Sequence, residues 1–175
     1  MTAMVPTTAR APTVEHELDG TTTEYDDVPV AGDHVERLLR ELFTEHWAEI
    51  TVGPILQGAA WEIRFVKAPT LTMLDGYLTT DTGAWHFHLC VGDTRAGGRD
   101  DLAQIRRVAR AAFFQTTGGS CTPLSYGLRL WNGQGEQMLT VFFPNPYYDD
   151  ASERLRAPDF TRTALWEDFR RRYRA

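Results

Sequence analysis

Between residues 84 and 92 apolar and polar side chains alternate without interruption, a pattern typical of a half-buried β-strand. The apolar face of this predicted strand consists of Trp85, Phe87, Leu89 and Val91. The opposite face consists of His86, His88 and Cys90. Residues 71–79 predict a partner strand, and the Asp and Gly within 80–83 favour a turn between the two. The pattern therefore predicts a hairpin with one core face and one face of reactive side chains.

The register of this hairpin can be predicted from its turn. A four-residue loop at 80–83 would place Tyr77 opposite His86 and Asp75 opposite His88, all on one face. A slip of one residue would move Asp75 onto the apolar face, where an unpaired carboxylate is costly.

The remaining pattern predicts three helices and three further strands. Apolar residues recur every three or four positions over 33–50, 101–116 and 161–173, which indicates amphipathic helices. Alternating or apolar stretches at 60–67, 125–131 and 137–143 indicate strands. Asn132-Gly133 is a strong hairpin signal, and a two-residue turn there would place Arg129 opposite Glu136.

The order of these elements is α-β-β-β-α-β-β-α. Strands joined by short turns pair antiparallel, and helices then cover the apolar side of the sheet. The predicted fold class is α+β, with a single antiparallel sheet of about five strands and helices packed on one face. Residues 33–175 would form this single domain. Residues 1–32 contain few large apolar groups, which favours a disordered or draped leader.

Charge and composition exclude several classes of function. The net charge of −6 disfavours general nucleic-acid binding. No apolar run approaches the roughly 20 residues of a membrane helix. Two cysteines make no disulfide framework, so a cytoplasmic protein with reduced thiols is expected.

The His-x-His pair is the leading candidate for chemistry. Residues two apart on a strand share a face, so His86 and His88 can converge on one ion. Imidazole suits a transition metal such as Zn, Fe, Cu or Ni. Asp75 would be a third ligand or would orient a histidine. The alternative is an ordinary solvent-facing side of an amphipathic hairpin.

Cys90 and Tyr77 complete the predicted catalytic set with Asp75. Cys90 is a candidate nucleophile with His88 or His86 as its base, although a lone cysteine is more often a small buried apolar group. Tyr77 would stand at the rim of the site. His46 lies on the apolar stripe of the first predicted helix and is a weaker candidate for a third ligand.

These residues predict a small soluble metal-binding protein with a transition-metal site on the His-x-His strand. It would be a metalloenzyme if the ion kept an open coordination position for a small-molecule substrate. One alternative is a metal-free cysteine/histidine enzyme. Another is a non-catalytic binding module that forms a homodimer through its uncovered sheet face.

Three segments resemble a family of small bacterial proteins of unknown function. They are residues 85–92 (WHFHLCVG), 132–136 (NGQGE) and 143–146 (FPNP). The resemblance spans about residues 60–173. It implies a stand-alone soluble bacterial domain and carries over no activity and no functional residue.

Overall fold

A seven-stranded antiparallel sheet dominates the protein, which a computed structural model describes over residues 11–56, 58–119 and 122–175. Across the sheet its strands follow the order β1 (Thr13–His16), β2 (Thr22–Val28), β10 (Val108–Thr117), β11 (Leu124–Asn132), β12 (Gln137–Phe142), β3 (Thr51–Gly53) and β6 (Ile63–Arg64). Its centre is the long pairing of β10 with β11, which β2 and β12 flank.

Two smaller sheets accompany it. One is a three-stranded meander of β7 (Thr70–Leu74), β8 (Tyr77–Asp81) and β9 (His86–Cys90). The other is the short pair β4 (Ile55–Leu56) and β5 (Ala59–Ala60). β9 confirms the predicted histidine strand.

Three α-helices complete the described part of the chain: α1 (His34–Glu45), α2 (Asp100–Arg106) and α3 (Ala164–Tyr173). A 3₁₀ turn precedes α2 at Ala96–Gly98, and another leads into α3 at Phe160–Thr163. α1 and α3 confirm the helices predicted at 33–50 and 161–173, because a strong apolar stripe specifies each of them.

One apolar core joins α1 and α3 to both larger sheets. The ring of Phe43 on α1 lies 6.0 Å from Phe87 of the three-stranded sheet. Phe169 on α3 lies 6.0 Å from Phe143, which directly follows β12. The buried side chains of α1 are Val35, Leu38, Leu39, Leu42 and Phe43.

The predicted α+β class, with a single antiparallel sheet of about five strands, is wrong, because the described part of the chain is mostly β with few helices. The described residues contain twelve strands in sheets of seven, three and two. The largest error is the helix predicted at 101–116, which ends at Arg106 and gives way to the central strand β10. β10 buries Phe113 on the helix side and Phe114 on the other side, so it lacks the alternation that marks a strand.

The segment predicted as a leader contributes two strands to the main sheet. β1 and β2 pair with each other, and β2 pairs with β10 over seven positions. Asp26 is buried and forms an ion pair with Arg170 of α3. Residues 1–10 lie outside the described part of the chain.

Both predicted hairpin registers are wrong. Asp75 and Gly76 form a two-residue turn with positive φ at both positions, which divides the predicted partner strand into β7 and β8. The loop between β8 and β9 covers residues 82–85 instead of 80–83, so Tyr77 lies opposite Cys90 rather than His86. In the other hairpin the loop covers residues 132–136 instead of two residues, and with a bulge beside it this places Arg129 opposite Thr140 instead of Glu136.

Candidate functional site

One side of the three-stranded sheet faces solvent and carries both candidate metal ligands. We call it the histidine face. Its residues are Thr70, Thr72, Leu74, Tyr77, Thr79, Asp81, His86 and His88. Between β8 and β9 the true register differs from the predicted one by an even number of residues, so Tyr77 shares a face with His86 and His88 as predicted. The predicted place of Asp75 on this face is wrong, because Asp75 lies in the turn before β8. Leu78 and Leu89 point to the other side and pack into the core.

His86 and His88 are both exposed and lie side by side. Their ring centroids are 5.0 Å apart, with the rings in an edge-on arrangement. Nδ1 of His88 shares a hydrogen bond of 2.7 Å with the hydroxyl of Thr79, the residue directly opposite on β8. This bond orients the His88 ring and leaves its Nε2 available to a ligand.

Asp75 lies in the turn between β7 and β8 and orders the loop that follows β9. Its carboxylate accepts hydrogen bonds from the backbone N–H of Arg95 (3.0 Å), from the Arg95 side chain and from the Thr94 hydroxyl. These bonds, chiefly the backbone one, lower the pKa of Asp75 below its ordinary value. Asp75 is therefore hydrogen-bonded to the loop after β9 and does not lie opposite His88.

Cys90 and Tyr77 lie opposite each other at the end of the same sheet. The Cys90 thiol is buried and donates a hydrogen bond to the carbonyl of Gly92. Burial raises the pKa of Cys90, and a hydrogen bond with Tyr77 opposes this shift only in part. At neutral pH the thiol is protonated, so this environment suits a structural cysteine better than a nucleophile.

His46 packs beside the C-terminal helix. Its ring meets Phe169 edge-on at 5.4 Å, and its Nδ1 lies 2.8 Å from Glu49. In the described part of the chain, the only group of three ligand-type side chains is Glu41, Glu45 and His46. Among the described residues, no third ligand-type side chain lies close enough to His86 and His88 to bind the same ion.

A cleft of about 640 Å³ lies at the far end of the main sheet, near β6 and the loop after β12. Alternation on individual strands could not reveal it, because its walls come from distant segments. Arg64 donates to the backbone oxygen of Asp150 and to Ser152, and Arg162 donates to the Asp150 carboxylate. These bonds already engage both arginines of the cleft. Cys121 lies outside the described residues.

The fold is similar to that of several solved structures. The crystal structure of ChuX has a TM-score of 0.55 at 13% identity and covers 87% of this chain and 76% of its own. A second structure, of the heme-binding protein ChuX, gives a TM-score of 0.51 at 15% identity over 89% and 78%. Protein AGR_C_4470 from Agrobacterium tumefaciens gives 0.56 at 18% identity over 86% and 72%. At these identities the likeness establishes the fold alone.

No curated protein matches this sequence. None of the helices in the described residues is long and apolar enough to cross a membrane. The profile of one family does match, over residues 12–175. This confirms the expectation of an uncharacterised family, and the chain belongs to DUF7676, a family of unknown function.

Proposed function

We propose that this protein binds heme on the histidine face, with His88 as the iron ligand and His86 beside it. The observation that carries this proposal is the pair of exposed, adjacent imidazoles on a sheet face that none of the described helices covers. Bound heme would supply the redox and ligand-binding chemistry of its iron. The residues of the chain would bind and orient it.

The number of protein ligands favours heme over a bare ion. A tightly held zinc or similar ion takes three or four protein ligands, whereas a porphyrin brings four nitrogens of its own and needs only an axial residue. Two histidines without a third partner among the described residues fit the second case better.

The hydrogen bond between Thr79 and His88 supports His88 as the residue that would hold the iron. When Nδ1–H donates to the Thr79 hydroxyl, Nε2 carries the lone pair that iron requires. Leu74 is 75% exposed on the same face and offers apolar surface to a macrocycle. The similarity in fold to the heme-binding protein ChuX adds support from outside the sequence.

The proposal is tested by titrating the protein, without a histidine tag, with hemin and following the Soret band. We expect the wild-type protein to shift the band and His88→Ala to abolish the shift. Thr79→Val should weaken binding about tenfold, because the ring loses its orienting partner. The matched control is His16→Ala, since His16 is also an exposed strand histidine bonded to a threonine hydroxyl, that of Thr22.

Elemental analysis of the same samples separates heme from a bare ion. Stoichiometric metal that disappears in the His86→Ala/His88→Ala variant, with no hemin binding, would replace heme by a transition-metal ion at the same face. Hemin binding that survives the double substitution would overturn the proposed site.

A further inference from the structure

A second cavity lies on the seven-stranded sheet, on the face opposite its helices. It has a volume of about 400 Å³ and lies over β2, β10, β11 and β12. Phe114 and Phe142 form part of its floor, and Thr23 and Thr116 supply hydroxyl groups. Neither the sequence pattern nor the proposed function uses this face.

Arg129 enters this cavity from the central strand β11. Its guanidinium carbon lies 4.7 Å from the centre of the Phe114 ring, and one terminal nitrogen donates to the Tyr25 hydroxyl at 2.5 Å. Its Nε is buried and has no hydrogen-bond partner among the described residues. A buried guanidinium donor without an acceptor is costly. This Nε is itself out of reach of solvent, so a ligand in the cavity would contact Arg129 through a terminal nitrogen.

The charge of Arg129 also has no ion-pair partner in the part of the chain that the structure describes. Burial raises the pKa of Tyr25, so the phenol that Arg129 contacts is neutral near pH 7. Arg110 lies on the same face and provides the contrast. Its guanidinium pairs with both Glu15 and Asp27, whereas Arg129 forms no ion pair with a described residue.

The lining selects the kind of ligand. Within a lining that is otherwise mostly polar, Phe114 and Phe142 offer a flat apolar surface to a small hydrocarbon body, and the planar guanidinium suits a carboxylate. Glu17 and Asp19 at the rim repel molecules with several negative charges, as does the net charge of −6. From these features we propose that this cavity binds a small apolar monocarboxylate, with its carboxylate on Arg129.

The test uses phenylacetate as the probe and phenylacetamide as its uncharged counterpart. Arginine Nε–H signals of the full chain are followed by ¹⁵N NMR during each titration. We expect phenylacetate to shift the Arg129 signal in a saturable way at millimolar concentration and phenylacetamide to leave it unchanged. Arg129→Gln should weaken phenylacetate binding about tenfold or more, because a charge-assisted hydrogen bond is lost.

Arg110→Gln is the matched control and should retain phenylacetate binding, since Arg110 already has two carboxylate partners. Should Arg129→Gln fail to fold, Arg129→Lys replaces it, because lysine keeps the positive charge but lacks the planar guanidinium. The NMR titration of the wild-type protein needs no variant and tests binding directly. Equal shifts with phenylacetate and phenylacetamide, no saturable shift at all, or loss of binding in Arg110→Gln alone would overturn the proposal. Phenylacetate binding that is unchanged in His86→Ala/His88→Ala would keep this cavity separate from the histidine face.

Discussion

The two larger sheets differ in how many of their faces are covered. The seven-stranded sheet packs one face against the helices and buries Tyr25, Ala112 and Phe114 on the other. The three-stranded sheet buries Leu78 and Leu89 on one face and leaves its histidines exposed on the other. The core side chains of the first sheet are therefore held by packing on both faces, whereas the histidines of the smaller sheet are exposed to solvent.

The same substitution in the two sheets should give very different losses of stability. Leu130 of β11 is fully buried, so Leu130→Ala should lower the free energy of unfolding by about 2–5 kcal/mol. Leu74 on the histidine face is 75% exposed, so Leu74→Ala should change it by less than about 0.5 kcal/mol. Urea denaturation followed by circular dichroism measures both. Equal losses would mean that the histidine face is covered in solution.

A smaller effect of opposite sign is expected on the core side of the three-stranded sheet. The hydroxyl of Thr80 is buried without a hydrogen-bond partner among the described residues. Thr80→Val keeps the shape and removes the unpaired group, which should stabilise the protein by about 1 kcal/mol. A thermal melt with Thr79→Val as the comparison measures it, since the Thr79 hydroxyl does have a partner. Destabilisation by Thr80→Val would show that the hydroxyl is satisfied in solution.

The smallest effect on stability is expected at the contact between α1 and α3. Glu41 of α1 accepts hydrogen bonds from Arg172 and Tyr173 of α3, and these bonds lower its pKa below 4.5. A carboxyl group with a lowered pKa stabilises the fold above its unfolded pKa, and this stabilisation is lost as the pH falls through the folded value.

Glu41→Gln should therefore lower the urea midpoint at pH 7 and have less effect near pH 3. Asp101→Asn, which removes an exposed partner of Arg99, is the control and should change the midpoint little at either pH. A Glu41→Gln effect that grows on acidification would contradict the assigned direction of the shift.

The alkylation rate of the Cys90 thiol tests the same comparison between buried and exposed groups. Because its pKa is raised, alkylation by iodoacetamide at pH 7 should be slow and should accelerate only above the ordinary thiol pKa of about 8.5. Mass spectrometry of the Cys90 peptide measures the rate, with the urea-unfolded protein as the reference. Rapid labelling of the folded protein at pH 7 would restore the hypothesis of a cysteine nucleophile.

The sequence predicts those parts of the fold whose signals are local. The apolar stripes of α1 and α3 and the alternation of β9 each lie within one element, and the predictions made from them are correct. The same alternation placed His86 and His88 together on one face. Asp75-Gly76 was also a local signal, typical of a two-residue hairpin turn, and overlooking it merged β7 and β8 into one predicted strand.

Other features depend on partners that are far away in sequence, so a short stretch of residues gives little indication of them. β2 reads as a polar segment because Asp26 pairs with Arg170 and Tyr25 with Arg129, both far away in sequence. β10 is covered on both faces and contains alanines that favour a helix, so its pattern misled the prediction. The cavity at Arg129 depends on four strands at once and was beyond any argument from spacing.

The pairing of β2 with β10 also has a consequence for the order of folding. Every contact within the meander of β7, β8 and β9 joins residues that are near in sequence, so little chain entropy is lost when it forms. Tyr25 meets Phe114 only after the long intervening chain has been drawn together. The histidine strand can therefore be structured before the cavity around Arg129 exists, and of the two proposed sites the histidine face would be the first to form in a newly made chain.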